Sequence, residues 1–148
     1  MNEQLPYLYE TTIEWTEARQ GMLRAPGLPA IEVAAPPEFK GAPGIWTPEH
    51  LFTAAVSSCL MTTFLAIAEL SKFEFVSFAC PAQGKLEKPE GQGFKMTAVA
   101  LRPRLVIPAG ADPERARRIL EKAEKNCLIS NSIQARVTME PEIVLNRA

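Results

Sequence analysis

The stretch between His50 and Glu69 constrains the fold most, because none of its side chains carries a charge. An uncharged stretch of about 18 residues is long enough to cross a bilayer as a helix. Five hydroxyl side chains interrupt it: Thr53, Ser57, Ser58, Thr62 and Thr63. No cluster of lysine or arginine flanks it to set an orientation in a membrane. Since a helix that is apolar on nearly all sides lies either in lipid or inside a protein, we predict a central helix covered by the rest of the chain, and no membrane association.

Both predicted helices begin at a clear capping signal. Thr47 is the expected N-cap of the first helix, with Pro48 at the first helical position and Glu49 in the positively polarised first turn. We expect this helix to extend to about Ser71. The second helix begins at Asp112, which a proline follows. Its apolar face carries five residues: Ala116, Ile119, Leu120, Ala123 and Cys127.

The remaining segments predict strands. Seven of the thirteen prolines lie within residues 1–48, which excludes helix there. Three short β-favouring stretches in this region predict an antiparallel meander: residues 9–16, 20–23 and 30–35. Three longer stretches follow, of which the first two pair as a hairpin around a glycine-rich turn: residues 73–88, 94–107 and 134–145. The order β-β-β-α-β-β-α-β predicts the α+β class.

Composition limits the number of domains and the classes of partner. The chain has 148 residues, of which 47% are apolar and 22% charged, the balance of a folded globular domain. We therefore predict one domain over residues 1–148. The formal charge of −1 supplies no basic field for a phosphate backbone, so nucleic acid is not expected as a partner.

The cysteines point to a reducing compartment. Cys59, Cys80 and Cys127 are odd in number and widely spaced, and the N-terminus has neither the basic nor the apolar region of a secretory leader. We therefore expect a cytoplasmic protein. With one histidine and no two cysteines close enough to form a ligand pair, no metal site is expected.

Two of the cysteines could form a redox pair. Alone, each is most simply a small buried hydrophobe, and this is the interpretation we keep for Cys80. However, each predicted helix offers one inward-facing thiol, Cys59 or Cys127, and two packed helices can bring such residues within disulfide range. A thiolate can attack the O–O bond of a peroxide and become a sulfenic acid, which a second thiol then converts to a disulfide.

A buried thiol needs an activator, because burial raises its pKa unless a cation stands beside it. Cys59 lies about a dozen residues beyond the N-cap, outside the reach of the helix dipole. We expect a cation from elsewhere, either Arg19 or Arg24, with Glu49 to orient its guanidinium. Glu49 and Cys59 are about 15 Å apart along the helix axis. Either Arg19 spans that gap, or Glu49 reaches the Cys59 of a second subunit in a two-fold dimer.

The segments around both cysteines resemble those of a known family. Residues 47–59 (TPEHLFTAAVSSC) resemble the cysteine-helix signature of the OsmC/Ohr family, the osmotically inducible protein C and organic hydroperoxide resistance proteins. Residues 126–131 (NCLISN) are similar to its second motif, Cys-Pro-x-Ser-Asn, with Leu128 where proline is common. Arg19 falls on the arginine of its Arg-x-Gly turn, and the order of elements matches over nearly the whole chain.

This resemblance implies a fold and a set of roles. The fold would be an intertwined homodimer with antiparallel sheets wrapped around two central helices. Cys59 would be the peroxidatic thiol and Cys127 the resolving thiol. Arg19 would stabilise the thiolate, and Glu49 falls on the glutamate of the family's cysteine-helix motif. The resemblance implies no cofactor, only an external dithiol reductant, for which a lipoyl group is the candidate.

We therefore predict a thiol peroxidase that reduces organic or fatty-acid hydroperoxides to alcohols through a Cys59–Cys127 disulfide. The alternative is a dimeric binding protein for a small hydrophobic molecule, in which the cysteines are packing groups. Thioester chemistry would need a positioned general base, and His50 beside the N-cap is poorly placed for that role.

Overall fold

The computed structural model describes residues 5–147, and within them it has two α-helices and nine strands. The helices are α1 (Pro48–Leu70) and α2 (Pro113–Lys125). The strands are β1 (Thr12–Glu17), β2 (Gln20–Arg24), β3 (Ile31–Ala34), β4 (Ser77–Ala79), β5 (Ala82–Glu87), β6 (Lys95–Leu101), β7 (Arg104–Ile107), β8 (Arg136–Met139) and β9 (Glu142–Leu145). The predicted α+β class is confirmed. The chain divides into two compact units, a first that ends at Leu51 and a second that begins at Phe52.

The first unit contains the predicted meander. β1, β2 and β3 form an antiparallel sheet in that order, with a register shift in β1 between Trp15 and Glu17. Gly21 lies where a Cβ would overlap the carbonyl oxygen of Glu14, so this position requires glycine. One 3₁₀ turn, Pro37–Phe39, lies where the prolines led us to exclude helix. Such a turn tolerates a proline at its start, because the first N–H has no partner within the turn.

Both helices begin at their predicted caps. Thr47 is buried, and its Oγ1 accepts the backbone N–H of His50 at 3.1 Å. At α2, the Asp112 carboxylate accepts the backbone N–H of Glu114 at 3.0 Å. These bonds satisfy N–H groups that the helix itself leaves without a carbonyl partner.

The end of α1 is as well defined as its start. Lys72 has a φ of 53°, the left-handed conformation that closes a helix. The N–H of Phe73 donates to the carbonyl of Ala68 at 2.8 Å, and the N–H of Lys72 donates to that of Glu69 at 3.1 Å. This pair of bonds stops the helix within one residue of its predicted end.

In the second unit, each of the three long predicted strands is broken at a proline. Pro81 separates β4 from β5, Pro103 lies between β6 and β7, and Pro141 lies between β8 and β9. The result is two three-stranded sheets, β4-β7-β9 and β5-β6-β8. Backbone hydrogen bonds continue across the break: Arg102 N–H to Pro81 O, Glu140 N–H to Leu101 O and Glu142 N–H to Pro103 O, all at 2.9 Å.

These sheets are mixed, whereas we predicted antiparallel ones. β4 and β5 run antiparallel to β7 and β6, as a hairpin requires. β8 and β9 run parallel to β6 and β7. The reason is topological: α2 lies between β7 and β8 in the chain, and a strand that returns through a helical crossover pairs in parallel.

The core of the second unit joins α1, α2 and both sheets. Its fully buried side chains include Val56, Leu60 and Phe64 of α1 and Leu120 of α2. α1 is long and apolar enough to cross a membrane by length and composition, a test that the core helix of a globular protein also passes. We predicted that the rest of the chain covers α1 on nearly all sides. The helix is less completely covered than that, since the side chain of Leu65 is 38% exposed.

Candidate functional site

The second unit places two cysteines together. Cys59 lies on α1 and is 9% exposed, whereas Cys127 follows the C-cap of α2 and is fully buried. Both are free thiols, and they are near enough for each to affect the pKa of the other. The expected meeting of one thiol from each helix is therefore present in the fold.

The surroundings of Cys59 favour its thiolate. Burial acts to raise the pKa of Cys59, but hydrogen bonds to the sulfur outweigh burial and lower that pKa below its ordinary value. The largest of these bonds comes from the backbone N–H of Ile129, followed by the thiol of Cys127. The Thr63 hydroxyl lies 3.8 Å from the sulfur, and the backbone N–H of Leu128 is a further donor.

Cys127 has the opposite tendency. Burial raises the pKa of Cys127, and the neighbouring Cys59 raises it further, because two negative sulfurs in contact repel each other. The hydroxyl and backbone N–H of Ser130 oppose this shift without cancelling it. The thiolate is therefore favoured at Cys59 more than at Cys127.

A tight turn after α2 positions the donors to Cys59. The N–H of Asn131 donates to the carbonyl of Cys127 at 3.1 Å, and the Asn131 side-chain amide donates to the carbonyl of Lys125 at 3.2 Å. The Ser132 hydroxyl donates to the carbonyl of Leu128 at 2.7 Å. Sequence analysis did not find these donors, because backbone N–H groups carry no label in a sequence. The residue in the sequence that could have indicated this turn is Asn131, since asparagine side chains commonly form hydrogen bonds within turns.

The two candidate arginines both lie in the first unit. The Arg24 Nε is 3.2 Å from a carboxylate oxygen of Glu14, an exposed ion pair that occupies its guanidinium. Arg19 is exposed at the turn between β1 and β2, next to Ala18, whose φ is 47°. The backbone at Arg19 is held by the N–H of Ala35, which donates to its carbonyl at 3.1 Å. Of the two, Arg19 is the one that we retain as the candidate.

An open cavity of about 480 Å³ lies beside Arg19 in the first unit. Its lining includes Ile13, Trp15 and Val33, which give it an apolar wall. A guanidinium at the edge of an apolar cavity is suited to a small molecule with one charged or strongly polar group.

Glu49 and His50 lie in the first turn of α1. Glu49 is partly buried. The Nδ1 of His50 lies 2.8 Å from the Thr47 hydroxyl, and its ring meets Trp46 edge-on with centroids 6.1 Å apart. His50 is therefore part of the cap of α1, which agrees with our view that it is poorly placed as a general base.

The third cysteine lies outside the thiol pair. Cys80 is partly buried at the break between β4 and β5, with its sulfur 3.7 Å from the carbonyl oxygen of Pro81. Burial raises the pKa of Cys80. Over residues 5–147, no group of three or more histidine, cysteine or acidic side chains is arranged to hold a metal ion.

The family model for OsmC-like proteins matches residues 41–142. The chain belongs to the OsmC-like protein family. The resemblance seen in its two cysteine motifs is thereby confirmed, and the matched range contains both Cys59 and Cys127.

Individual OsmC-like relatives are distant. The uncharacterised protein YmaD of Bacillus subtilis is 29% identical over 114 residues, which cover 74% of this chain and 75% of that protein. Peroxiredoxin OsmC of Escherichia coli is 28% identical over 105 residues, 71% of each chain. The structure of an OsmC-like protein of unknown function from Vibrio cholerae superposes with a TM-score of 0.84 at 25% identity, covering 92% of this chain and 99% of that one.

The unequal thiols of this OsmC-like protein predict an order of alkylation. In the reduced protein at pH 7, iodoacetamide is expected to modify Cys59 before Cys80 and Cys127, because the thiolate is the reactive form. The Cys59 rate should fall as the pH drops through its lowered pKa. Peptide mass analysis of timed samples measures the order. As a control, the three thiols should react at similar rates in the protein unfolded with urea. Equal rates in the folded protein would contradict the prediction.

Proposed function

We propose that this OsmC-like protein is a thiol peroxidase that reduces organic hydroperoxides to alcohols. The observation that carries the proposal is the pair of neighbouring thiols, of which Cys59 has a lowered pKa and Cys127 a raised one. This inequality separates an attacking sulfur from a resolving one. The name of the Escherichia coli relative, peroxiredoxin OsmC, supports the same reaction class.

The proposed reaction has three steps. The Cys59 thiolate attacks one peroxide oxygen, so that an S–O bond forms while the O–O bond breaks, and the alkoxide takes up a proton to become the alcohol. The Cys127 sulfur then attacks the Cys59 sulfenic acid, and its oxygen leaves as water. An external dithiol, for which a lipoyl group is our candidate, finally reduces the Cys59–Cys127 disulfide and becomes a disulfide itself.

Arg19 and Glu49 complete the proposed site. The guanidinium of Arg19, held by the carboxylate of Glu49, would stabilise the alkoxide as it leaves, together with the thiolate before attack. Both roles remain predictions. Arg19 and Glu49 would act on the Cys59 either of their own subunit or of a second subunit.

A homodimer is part of the proposal. Within the first unit the side chains of Tyr9, Ile13 and Trp15 are 89%, 60% and 77% exposed, and in the second unit Leu65 of α1 is 38% exposed. Large apolar side chains exposed in this way within each unit are typical of surfaces that another protein covers. A second copy of the chain is the occupant that we propose, working in a reducing cytoplasm.

Turnover and mass analysis together test the proposal. With dihydrolipoamide as reductant, we expect faster turnover of cumene hydroperoxide than of hydrogen peroxide. Without reductant, one equivalent of cumene hydroperoxide should remove two hydrogens from the protein and link Cys59 to Cys127. Thiols that stay intact after stoichiometric peroxide would contradict the proposal and favour the alternative, a binding protein for a small hydrophobic molecule.

The Cys127→Ser variant tests the resolving role separately. Without a second thiol, the Cys59 sulfenic acid is expected to persist and to be oxidised further by excess hydroperoxide to the sulfinic or sulfonic acid. Intact mass should then rise by two or three oxygen atoms, whereas the wild type should stop at the disulfide. A Cys80→Ser variant is the matched control and should behave like the wild type. Over-oxidation in Cys80→Ser but not in Cys127→Ser would assign the resolving role to Cys80.

A further inference from the structure

The hydroxyl side chains of α1 differ in what they contact. Three of them donate to the helix carbonyl three residues earlier: Ser57 to Ala54 at 3.2 Å, Ser58 to Ala55 at 3.3 Å and Thr62 to Cys59 at 3.2 Å. This bond is a common way for serine or threonine to lie within a helix. Thr63 is different, because its hydroxyl oxygen lies 3.8 Å from the Cys59 sulfur. This hydroxyl therefore faces the thiol and not the backbone of its own helix.

Helix geometry explains why Thr63 reaches the sulfur. Residues four apart lie one above the other on the same face of a helix, and their side chains lean toward its N-terminus. Thr63 is four residues after Cys59 in α1, so its side chain leans toward that sulfur. Threonine in a helix divides between two rotamers, one of which bonds a carbonyl of the preceding turn. Thr62 makes that bond, whereas Thr63 contacts the sulfur.

The surroundings of this contact strengthen it. Leu60 and Phe64, which follow the two residues along α1, are fully buried, and Cys59 is itself buried. Thr63 is partly buried. A hydrogen bond is stronger in such a place than in water, because the local dielectric constant is lower. Since the middle of α1 has no charged side chain, the Thr63 hydroxyl is the polar group that this helix contributes to the sulfur.

We propose that Thr63 is a catalytic residue, whose hydroxyl binds the Cys59 sulfur and stabilises its thiolate. This inference rests on the proposed function only in taking Cys59 as the attacking sulfur. It assigns a role to a side chain that the sequence analysis treated as an interruption of an apolar helix. It also places a thiolate-stabilising group on the same helix as the thiol, four residues away, where we had expected only a cation from elsewhere.

A hydroxyl suits this role because it can both donate and accept a hydrogen bond. In the protonated pair, either the Cys59 thiol or the Thr63 hydroxyl can be the donor. Once the thiol has lost its proton, only the hydroxyl can donate, and a bond to a charged acceptor is shorter and stronger than one to a neutral acceptor. The contact therefore favours the thiolate. Burial acts to raise the pKa of Cys59, and the Thr63 hydroxyl is among the groups that lower it.

Two variants of equal size separate the hydroxyl that faces the sulfur from its neighbour. Thr63→Val and Thr62→Val each replace a hydroxyl by a methyl group on a side chain of the same shape. The measurement is the rate of iodoacetamide alkylation at Cys59 as a function of pH, followed by peptide mass analysis of the full-length reduced protein. In Thr63→Val the midpoint should rise by roughly half to one pH unit, the scale of one intramolecular hydrogen bond. Thr62→Val should keep the wild-type midpoint, because its hydroxyl bonds the Cys59 carbonyl and not the sulfur.

The rate above the midpoint distinguishes a lost hydrogen bond from a disturbed helix. A more basic thiolate is a better nucleophile, so the plateau rate of Thr63→Val should equal that of the wild type or exceed it slightly. Thr63→Ala also removes the hydroxyl and should shift the midpoint in the same direction, which guards against a valine that packs poorly. A wild-type midpoint in Thr63→Val and Thr63→Ala would overturn the inference, and so would an equal shift in Thr62→Val.

The alkylation assay uses no peroxide, which keeps this inference separate from the proposed function. If the wild type fails to reduce hydroperoxides but Thr63→Val still shifts the Cys59 midpoint, the peroxidase proposal fails and the thiolate-binding role of Thr63 stands. If the wild type reduces hydroperoxides and the midpoint does not move in Thr63→Val, the proposed function stands and this inference fails.

Discussion

The Cys59→Ser variant is expected to lose hydroperoxide turnover by roughly 10⁴-fold or more, the scale on which an enzyme loses rate when its nucleophile is removed. A serine hydroxyl remains protonated at neutral pH and cannot take up the peroxide oxygen as sulfur does. The donors around residue 59 cannot compensate, because they stabilise a negative charge that serine does not develop. The measurement is consumption of cumene hydroperoxide with dihydrolipoamide in excess.

The matched control for this variant is Cys80→Ser. It makes the same chemical change at a partly buried thiol whose pKa burial raises, and it should retain turnover close to that of the wild type. Far-ultraviolet circular dichroism should be unchanged in both variants. Near-normal turnover in Cys59→Ser would place the attacking thiol elsewhere, and loss in Cys80→Ser alone would identify it.

The helices were predictable because their signals are local. Thr47 and Asp112 each cap the helix that follows them through a side-chain bond to a backbone N–H three or two residues away. Such bonds depend on a few neighbouring residues, so a sequence pattern contains all the information needed. The end of α1 was equally local, since it depends on Lys72 in the left-handed conformation.

The sheets were less predictable because strand pairing joins distant residues. The alignment of Pro81, Pro103 and Pro141 across the sheets depends on which strands pair: β4 with β7, β5 with β6, β6 with β8, and β7 with β9. The parallel direction of β8 and β9 could have been inferred from the order of elements, since a helix lies between β7 and β8. The antiparallel prediction came from the family resemblance and not from the order of elements.

The cysteine pair could be predicted from the sequence, whereas the groups of the second unit that lower the pKa of Cys59 could not. From the sequence we inferred that a buried thiol needs a nearby cation, and we named Arg19 and Arg24 as the candidates. In the fold, the groups that lower the pKa of Cys59 are two backbone N–H groups, the Cys127 thiol and the Thr63 hydroxyl. A sequence motif identifies side chains, but it does not show which backbone N–H groups face them. Those groups become visible only once the turn is known.

The stability of the cysteine helix depends on an aromatic cluster one turn from Cys59. Phe64 is fully buried, stacks on Phe78 with ring centroids 5.2 Å apart and meets Phe75 edge-on at 5.1 Å. Aromatic pairs in this geometry add to the free energy of burial. The cluster joins α1 to β4 and to the segment that precedes it, which holds the helix against the sheet.

Phe64→Ala is therefore expected to lower the free energy of unfolding by about 3–5 kcal/mol, since truncating a buried phenylalanine leaves a cavity as well as losing apolar burial. This is a large fraction of the ~5–15 kcal/mol that stabilises a domain. Urea unfolding at fixed protein concentration measures the change. Leu70→Ala, on the same helix but 85% exposed, is the control and should cost less than about 1 kcal/mol. Equal losses in the free energy of unfolding would mean that Phe64 does not anchor α1. A larger loss in Leu70→Ala would mean that the C-terminal end of α1 contributes more to stability than Phe64 does.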